Sequence, residues 1–408
     1  METWSQNSYD EPLAEIYRQT EVACLRANPD PPPTLDGLIA AQPDFLPAHL
    51  LKIARLVGAK DASALPALER ALAAVAPLER GADARDRAML AGARAWLARE
   101  PLAAAKIYTQ LSLEGRADTL ALRLAQSCWY FLGRRANVRS VAEHALRTWS
   151  PASDGFDAVL AMAAFGAAET SDGARAEELA QRALAAEPRS PFAIHALAHA
   201  LAIQGRPAAG ANLLRSLTAE WRIAGRMDGH ISWHLALFDL ESGNAPAALA
   251  AFDREQLPAA ARDAGSCADA TDLLWRIELA GLDVGERWQP LAAAWVRLLT
   301  PGFWSFLDVL AGLALLRAGR DTEACALARE LALVPDTAGV IAPGLATVPA
   351  LAALDAFARG AFEDASRGLA KALPRLGGSL PQRDLLLLTR RIADRRRTSE
   401  RELVPVAA

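Results

Sequence analysis

Hydrophobic and polar positions recur with a helical period along almost the whole chain. Alanine and leucine return at three- and four-residue spacing, which places them on one face of an α-helix. The alternation of Val, Ile or Tyr with polar residues, which half-buried strands need, is nearly absent. This pattern predicts an all-α protein.

Glycine interrupts the pattern at intervals, each time just before a second alanine-rich helix. The turn glycines are separated by steps of 40, 32, 38, 76 and 41 residues, and the longest step contains a further turn at Gly281. Glycine supplies the left-handed residue that ends many helices. The spacing predicts an irregular helix-turn-helix repeat near the 34-residue tetratricopeptide period. The glycines are Gly133, Gly173, Gly205, Gly243, Gly319 and Gly360.

Two of these repeats fit the tetratricopeptide frame when the turn glycine is placed at position 15. The small residue expected at position 8 falls on Ala198 and Ala236, and the one expected at position 20 falls on Gly210 and Ala248. In such stacks the first helix of each repeat lines the concave face, mostly through positions 2, 5, 9, 12 and 13. We therefore expect the chemistry-bearing side chains on these first helices.

Histidine is concentrated in this region. The chain has six histidines, and four of them form two pairs with a spacing of four residues: His195 with His199, and His230 with His234. The first pair occupies positions 5 and 9 of its repeat, and the second pair occupies positions 2 and 6 of the next. We expect these four imidazoles to converge at one place on the inner wall.

The following repeat adds polar and aromatic side chains to the same expected patch. In CADATDLLWRIELAG, five residues fall on positions 3, 5, 6, 9 and 12 before Gly281, namely Asp269, Thr271, Asp272, Trp275 and Glu278. Trp233 and Trp275 are candidates for an apolar wall against an aromatic or cationic substrate. Arg276 is a candidate for holding an anionic group, although the simpler interpretation is that WRIEL, with Arg276 and Glu278, is a salt-bridged helix end.

Three interpretations of the histidines remain open at this point. In the first, one imidazole is a general acid or base and Asp269 or Asp272 fixes its tautomer. In the second, the pairs bind a divalent metal such as zinc or iron, and Asp269 or Asp272 supplies an oxygen ligand. Against this, the intervening residues ALA and ISW lack the carboxylate of HExxH or ExxH motifs. In the third, they are hydrogen-bonded residues of a packed seam in a protein scaffold. His49 and His144 are assigned structural roles.

Composition excludes several other functions. The chain of 408 residues is 52% hydrophobic with a net charge of -4, and its pI near 6.0 gives no electrostatic reason to expect nucleic acid. The N-terminus lacks the basic and apolar segments of a signal peptide, and no apolar run is long enough to span a membrane, so a cytoplasmic location is expected. Scattered Cys24, Cys128, Cys267 and Cys325 predict reduced core thiols.

Several stretches together resemble the tetratricopeptide repeat protein 38 family over nearly the whole chain. They include AAQPDFLPAHLLKIARLVG, AFGAAE, HALAHALAIQGR, GHISWHLALFDLESGNAPAALAAFD, DATDLLWRIEL, FLDVLAGLALLRAGR and GGSLPQRD. The resemblance implies an irregular α-solenoid around a central cavity, with the four histidines at its most recognisable positions, and it implies no particular activity. The chain departs from the family where Leu310 and Leu380 replace histidines.

The sequence therefore predicts one domain over residues 1–398, an all-α, irregular tetratricopeptide-like solenoid curled around a concave pocket, and a frayed tail over 399–408. The predicted function is a small-molecule-processing enzyme with histidine acid/base chemistry, with or without a metal cofactor. The alternative is a non-catalytic scaffold for a protein or peptide partner. No nucleic-acid or membrane partner is expected.

Overall fold

The computed structural model describes residues 11–28, 34–114, 118–222, 226–335, 343–376 and 378–403. These residues form helices joined by short turns, and no strand occurs among them. The all-α, helix-turn-helix solenoid arrangement expected from the hydrophobic periodicity is confirmed. None of the helices in the described ranges combines the length and hydropathy that crossing a membrane requires.

The helices are numbered in chain order. The first eleven are α1 (Glu11–Arg26), α2 (Leu35–Ala41), α3 (Leu46–Gly58), α4 (Leu65–Val75), α5 (Ala84–Leu97), α6 (Pro101–Leu113), α7 (Thr119–Phe131), α8 (Arg135–Thr148), α9 (Phe156–Glu169), α10 (Gly173–Ala186) and α11 (Pro191–Ile203). The others are α12 (Pro207–Ser216), α13 (Thr218–Trp221), α14 (Arg226–Glu241), α15 (Ala245–Ala251), α16 (Leu257–Ala260), α17 (Ala264–Leu279), α18 (Trp288–Leu298), α19 (Ser305–Arg317), α20 (Asp321–Leu333), α21 (Pro343–Ala358), α22 (Phe362–Ala372) and α23 (Leu380–Leu403).

Contacts between Cα atoms divide the chain into two compact units. The first unit contains the described residues up to Trp129, together with those in Arg135–Gln204 and Leu217–Asp228. Within it, α9 packs against α8, α10 and α11, and α5 packs against α6. The second unit contains Tyr130–Arg134, Gly205–Ser216 and the described residues from Gly229 onward. Within it, α17 packs against α18 and α19, α21 against α22, and α22 against α23.

Two helices that come first in a hairpin, α9 and α11, are buried on nearly all sides. Every residue of α9 is buried, and α11 is buried from Pro191 to Leu201. Small residues allow the close packing that this requires, because a Cβ atom added at Gly166 would lie 2.7 Å from the Cα atom of Arg139 on α8. The second helices, such as α10, keep an exposed polar face. Complete burial of a helix leaves its polar side chains dependent on partners inside the protein.

Left-handed residues end the first helices at regular intervals. Six of the seven turn glycines have positive φ, from 65° at Gly205 to 92° at Gly281. The prediction for Gly173 is wrong, because this residue opens α10 and Ser171, with φ 63°, takes the left-handed position instead. Asp172 favours this arrangement, since its side chain accepts a hydrogen bond from the backbone N–H of Arg175 and caps α10. The left-handed turn residue of this repeat is therefore Ser171 and not Gly173.

Two further predictions concern the cysteines and the chain end. Cys128 and Cys267 are buried free thiols as expected, whereas Cys325 is exposed, so it is not a core residue. The helix α23 runs to Leu403, past residue 398, at which the sequence predicts the end of the domain. The rest of the predicted tail, residues 404–408, lies outside the described residues.

Candidate functional site

The first histidine pair lies on α11. This helix begins at Pro191 because the Ser190 side chain accepts a hydrogen bond from the backbone N–H of Ala193 and proline suits the first helical position. A spacing of four residues places His195 and His199 one turn apart on one face. Their Nε2 atoms are 2.9 Å apart. One of these nitrogens carries the hydrogen and donates it to the other, since a hydrogen bond needs one donor and one acceptor.

Aromatic rings and a carboxylate surround this pair. His195 stacks against Phe165 and Phe192, with ring centroids 5.8 and 6.1 Å apart respectively. The Nδ1 atom of His199 lies 3.8 Å from a carboxylate oxygen of Glu169, and both side chains are almost completely buried. The pair is therefore enclosed by two aromatic rings and one buried acidic side chain.

The second pair lies on α14, where His230 and His234 are also one turn apart. The Trp233 ring stacks on His230 with a centroid distance of 5.1 Å, and His234 lies edge-on to Trp233 at 4.6 Å. A π-helical turn over Phe252–Gln256 contacts the first turn of α14, because the Gln256 side chain donates a hydrogen bond of 3.0 Å to the backbone oxygen of Gly229. Inserted π turns are often found at functional sites.

Helix α17 contributes the carboxylate that contacts His230. The Oδ2 atom of Asp269 lies 2.8 Å from Nδ1 of His230. This bond fixes the neutral imidazole in the tautomer with hydrogen on Nδ1, which leaves Nε2 with its lone pair. The His230 side chain is 22% exposed, whereas His195, His199 and His234 are buried. His230 is thus the imidazole of the four that a dissolved molecule reaches most easily.

Asp272 lies one turn further along α17 and has different partners. It accepts hydrogen bonds from Arg276 at 2.9 Å and from the Trp233 indole at 3.2 Å. Burial raises the pKa of Asp272 to about 6, although Arg276 acts in the opposite direction. Arg276 also pairs with Asp384. The charge of this arginine is therefore neutralised within the protein, which removes the reason to assign it an anionic substrate group.

Each predicted histidine pair lies together on its own helix. His195 and His199 belong to the first unit, and His230 and His234 belong to the second. Within each pair the imidazole rings are in contact, with ring centroids 4.4 and 5.0 Å apart respectively. The contact that the four-residue spacing predicts within each pair is therefore present.

Three other residues predicted for the site bond elsewhere. The hydroxyl of Thr271 donates to the backbone oxygen of Cys267 and accepts from the Trp295 indole. The Trp275 indole donates to Thr389 at 2.9 Å. These bonds join α17 to α18 and α23. Glu278 accepts a hydrogen bond from Trp288 and pairs with Arg317, whereas Arg276 pairs with Asp272 and Asp384, so each of the two side chains has its own salt-bridge partners.

One residue of interest was missed by the sequence analysis. Arg123 occupies position 5 of the repeat whose turn glycine is Gly133, the same position as His195 in its own repeat. Its guanidinium carbon lies 3.9 Å from the centroid of the Phe192 ring. The frame that located the histidines contains enough information to find Arg123, but no motif marks the residue as distinct from a surface arginine.

A comparison of the chain with protein-family models finds no family model that matches it. Membership of the tetratricopeptide repeat protein 38 family therefore stays a prediction from the sequence motifs. The function has to be argued from the geometry of the side chains.

Proposed function

We propose that the protein is an enzyme that processes a small molecule, with His230 as its general acid and base. The observation that carries this proposal is the 2.8 Å bond between Nδ1 of His230 and Asp269. A carboxylate on one ring nitrogen orients the imidazole and stabilises its protonated form, so that the other nitrogen can take and return a proton. Trp233, stacked on the same ring, restricts its rotation.

The proposal favours a small substrate because the residues concerned are buried. A scaffold for an extended peptide needs an accessible groove with polar side chains along the inner helices. Here α11 and α17 are buried over most of their length, and His195, His199 and His234 have little contact with solvent. These features support a ligand small enough to be enclosed.

The experiment that tests the proposal compares wild type with His230→Gln and Asp269→Asn on a fractionated extract of small metabolites. Consumption of each compound is followed by mass spectrometry, and circular dichroism confirms that the variants fold. We expect at least one compound to be consumed by wild type and to persist with His230→Gln. Equal consumption by the folded His230→Gln variant, or none by wild type in any fraction, would contradict the proposal.

A second candidate function is metal-assisted chemistry, and one observation favours it. The Nε2 atoms of His195 and His199 are 2.9 Å apart on one face of α11, close enough to share an ion, and imidazole suits zinc and iron. Metal-bound histidines usually donate their other N–H to a carboxylate, and Glu169 lies 3.8 Å from Nδ1 of His199. The donor set therefore fits a divalent transition metal, which would supply Lewis-acid activation of water or substrate. His195 and His199 would hold it.

A further inference from the structure

Arg123 differs from the other arginines with reduced contact to solvent. Its side chain, half-buried on α7, lies over the Phe192 ring at the start of α11. In the described part of the chain no carboxylate forms a hydrogen bond or an ion pair with it. Comparable arginines have such partners: Arg26 with Asp157, Arg85 with Asp118, Arg139 with Asp172 and Arg276 with Asp272.

An arginine without a carboxylate partner among the described residues has N–H groups that can bind a ligand anion. Burial lowers the pKa of Arg123 to about 10 because the guanidinium has lost water, although Cys24 acts in the opposite direction. The cation–π contact with Phe192 attracts the guanidinium to the ring. It uses the face of the guanidinium, whereas the five N–H donors point outward in its plane. Two parallel N–H groups match the oxygen spacing of a carboxylate or a phosphate.

The Phe192 ring joins this cation to the first histidine pair. The ring lies under Arg123 and stacks with His195, which bonds to His199 through Nε2. All four side chains belong to the first unit. A cation, a flat apolar surface and an imidazole pair thus follow one another along α7 and α11.

We infer that Arg123 anchors an anionic group, a carboxylate or a phosphate, of a small molecule bound beside His195. Phe192 supports the guanidinium from below, and the N–H edge of Arg123 donates two hydrogen bonds to the anion. Identification of this molecule as a substrate rests on the proposed function, whereas the binding of the anion does not. The charge of the ligand is the new element, since the histidines alone leave it open.

Binding of two simple probes tests the inference. Benzoate supplies a carboxylate and phenyl phosphate supplies a phosphate, both on an aromatic ring that can contact Phe192. Calorimetric titration in chloride buffer at constant ionic strength gives their affinities for wild type, Arg123→Met and the control variant Arg147→Met, which removes an exposed arginine on α8. We expect one probe to bind wild type and Arg147→Met equally, and Arg123→Met about tenfold or more weakly.

The thermal stability of the ligand-free variants provides a second readout. Removing an uncompensated buried charge should leave the melting temperature of Arg123→Met equal to or above that of wild type, whereas a structural arginine would lower it. Arg123→Lys keeps the positive charge and replaces Arg123→Met in the titrations if the methionine variant does not fold. The lysine variant should retain part of the wild-type affinity for the probe. Absence of binding by wild type, or equal binding by Arg123→Met, overturns the inference.

The outcome is separable from that of the proposed function. If the probes bind through Arg123 but no compound is consumed, the protein is an anion-binding protein and the enzymatic proposal fails alone. If His230→Gln abolishes consumption of a compound while Arg123→Met leaves probe binding unchanged, the anchor fails alone.

Discussion

Ser171 and Gly205 have the same left-handed backbone conformation, with φ of 63° and 65°, at the ends of α9 and α11. The two residues terminate successive first helices of the repeat. At Ser171 the N–H of the next residue, Asp172, bonds to the oxygen of Ala167 at 2.9 Å, which is the Schellman arrangement that closes a helix. Serine occupies this conformation at a cost that glycine avoids.

This relationship predicts opposite effects for two matched substitutions. Ser171→Gly should raise the free energy of unfolding by up to about 1 kcal/mol, because the strain of a left-handed side chain is relieved. Gly205→Ala should lower it by about 1 kcal/mol or more, although a Cβ atom at Gly205 would meet nothing within 4 Å. Urea unfolding of both variants measures the effects, and a stabilising Gly205→Ala would disprove the conformational explanation.

The turn series also shows what the sequence can and cannot predict. Glycine identifies six of the turns because few other residues tolerate positive φ. It misleads at Gly173, and it is absent from the turns at Lys60 and Arg99, whose φ values are 53° and 64°. Where hairpin packing and hydrogen bonds at the helix end determine the conformation, local sequence preference is overridden, and no residue type announces the turn.

The candidate site also contains features that the sequence predicts and features that it does not. The contact within each histidine pair was predictable because residues four apart on a helix lie on the same face. The hydrogen-bond partner of each polar side chain was not predictable, since it depends on which side of α17 faces which neighbouring helix. Asp269 bonds to His230, whereas Thr271 bonds to Trp295 two residues later along the same helix. Arg123 is significant because no carboxylate among the described residues bonds to it, and a sequence does not display such an absence.

The pKa of Glu21 provides a prediction about pH. Burial raises it from 4.5 to about 7, and Asp118 adds to the effect while Arg85 opposes it. Because the folded-state pKa is above the unfolded one, the folded state binds more protons between about pH 4.5 and 7, so its stability falls as the pH rises through this window. Glu21→Gln removes this loss of stability, because a glutamine side chain does not bind or release a proton in this range.

We therefore expect Glu21→Gln to exceed wild type in unfolding free energy at pH 8 by about 1–3 kcal/mol more than at pH 4.5. Urea unfolding at the two pH values measures the difference. Glu69→Gln, at an exposed position on α4, is the control and should show no such dependence. A Glu21→Gln effect of the same size at both pH values would contradict the raised pKa.

Metal content tests the second candidate function. Untagged wild type should contain stoichiometric zinc or iron, His199→Ala should lose most of it, and His144→Ala should retain it, because His144 lies on α8 and belongs to neither histidine pair. Removal of the metal with a chelator should lower the melting temperature of wild type, since an ion bound only by the folded state stabilises it. Elemental analysis and thermal unfolding provide both readouts. A metal-free wild type whose stability does not respond to added zinc excludes the metal centre.

The dyad of His230 and Asp269 predicts non-additive kinetics. Once a consumed compound is identified, His230→Gln should lower kcat/KM by about 10²–10⁴-fold, the range for loss of a general acid or base. Asp269→Asn should lower it by about tenfold or more through the changed orientation and tautomer of His230. The double variant should be no slower than His230→Gln alone, because Asp269 acts through that imidazole.

Asp44→Asn, at an exposed residue before α3, controls for the loss of a negative charge and should leave the rate unchanged. If the losses at His230 and Asp269 multiply in the double variant, the two side chains act independently and the carboxylate does not work through the histidine. If Asp269→Asn lowers stability without changing kcat/KM, the 2.8 Å bond holds α14 against α17 and has no part in proton transfer. Rate and unfolding measurements on wild type, the two single variants and the double variant separate these results.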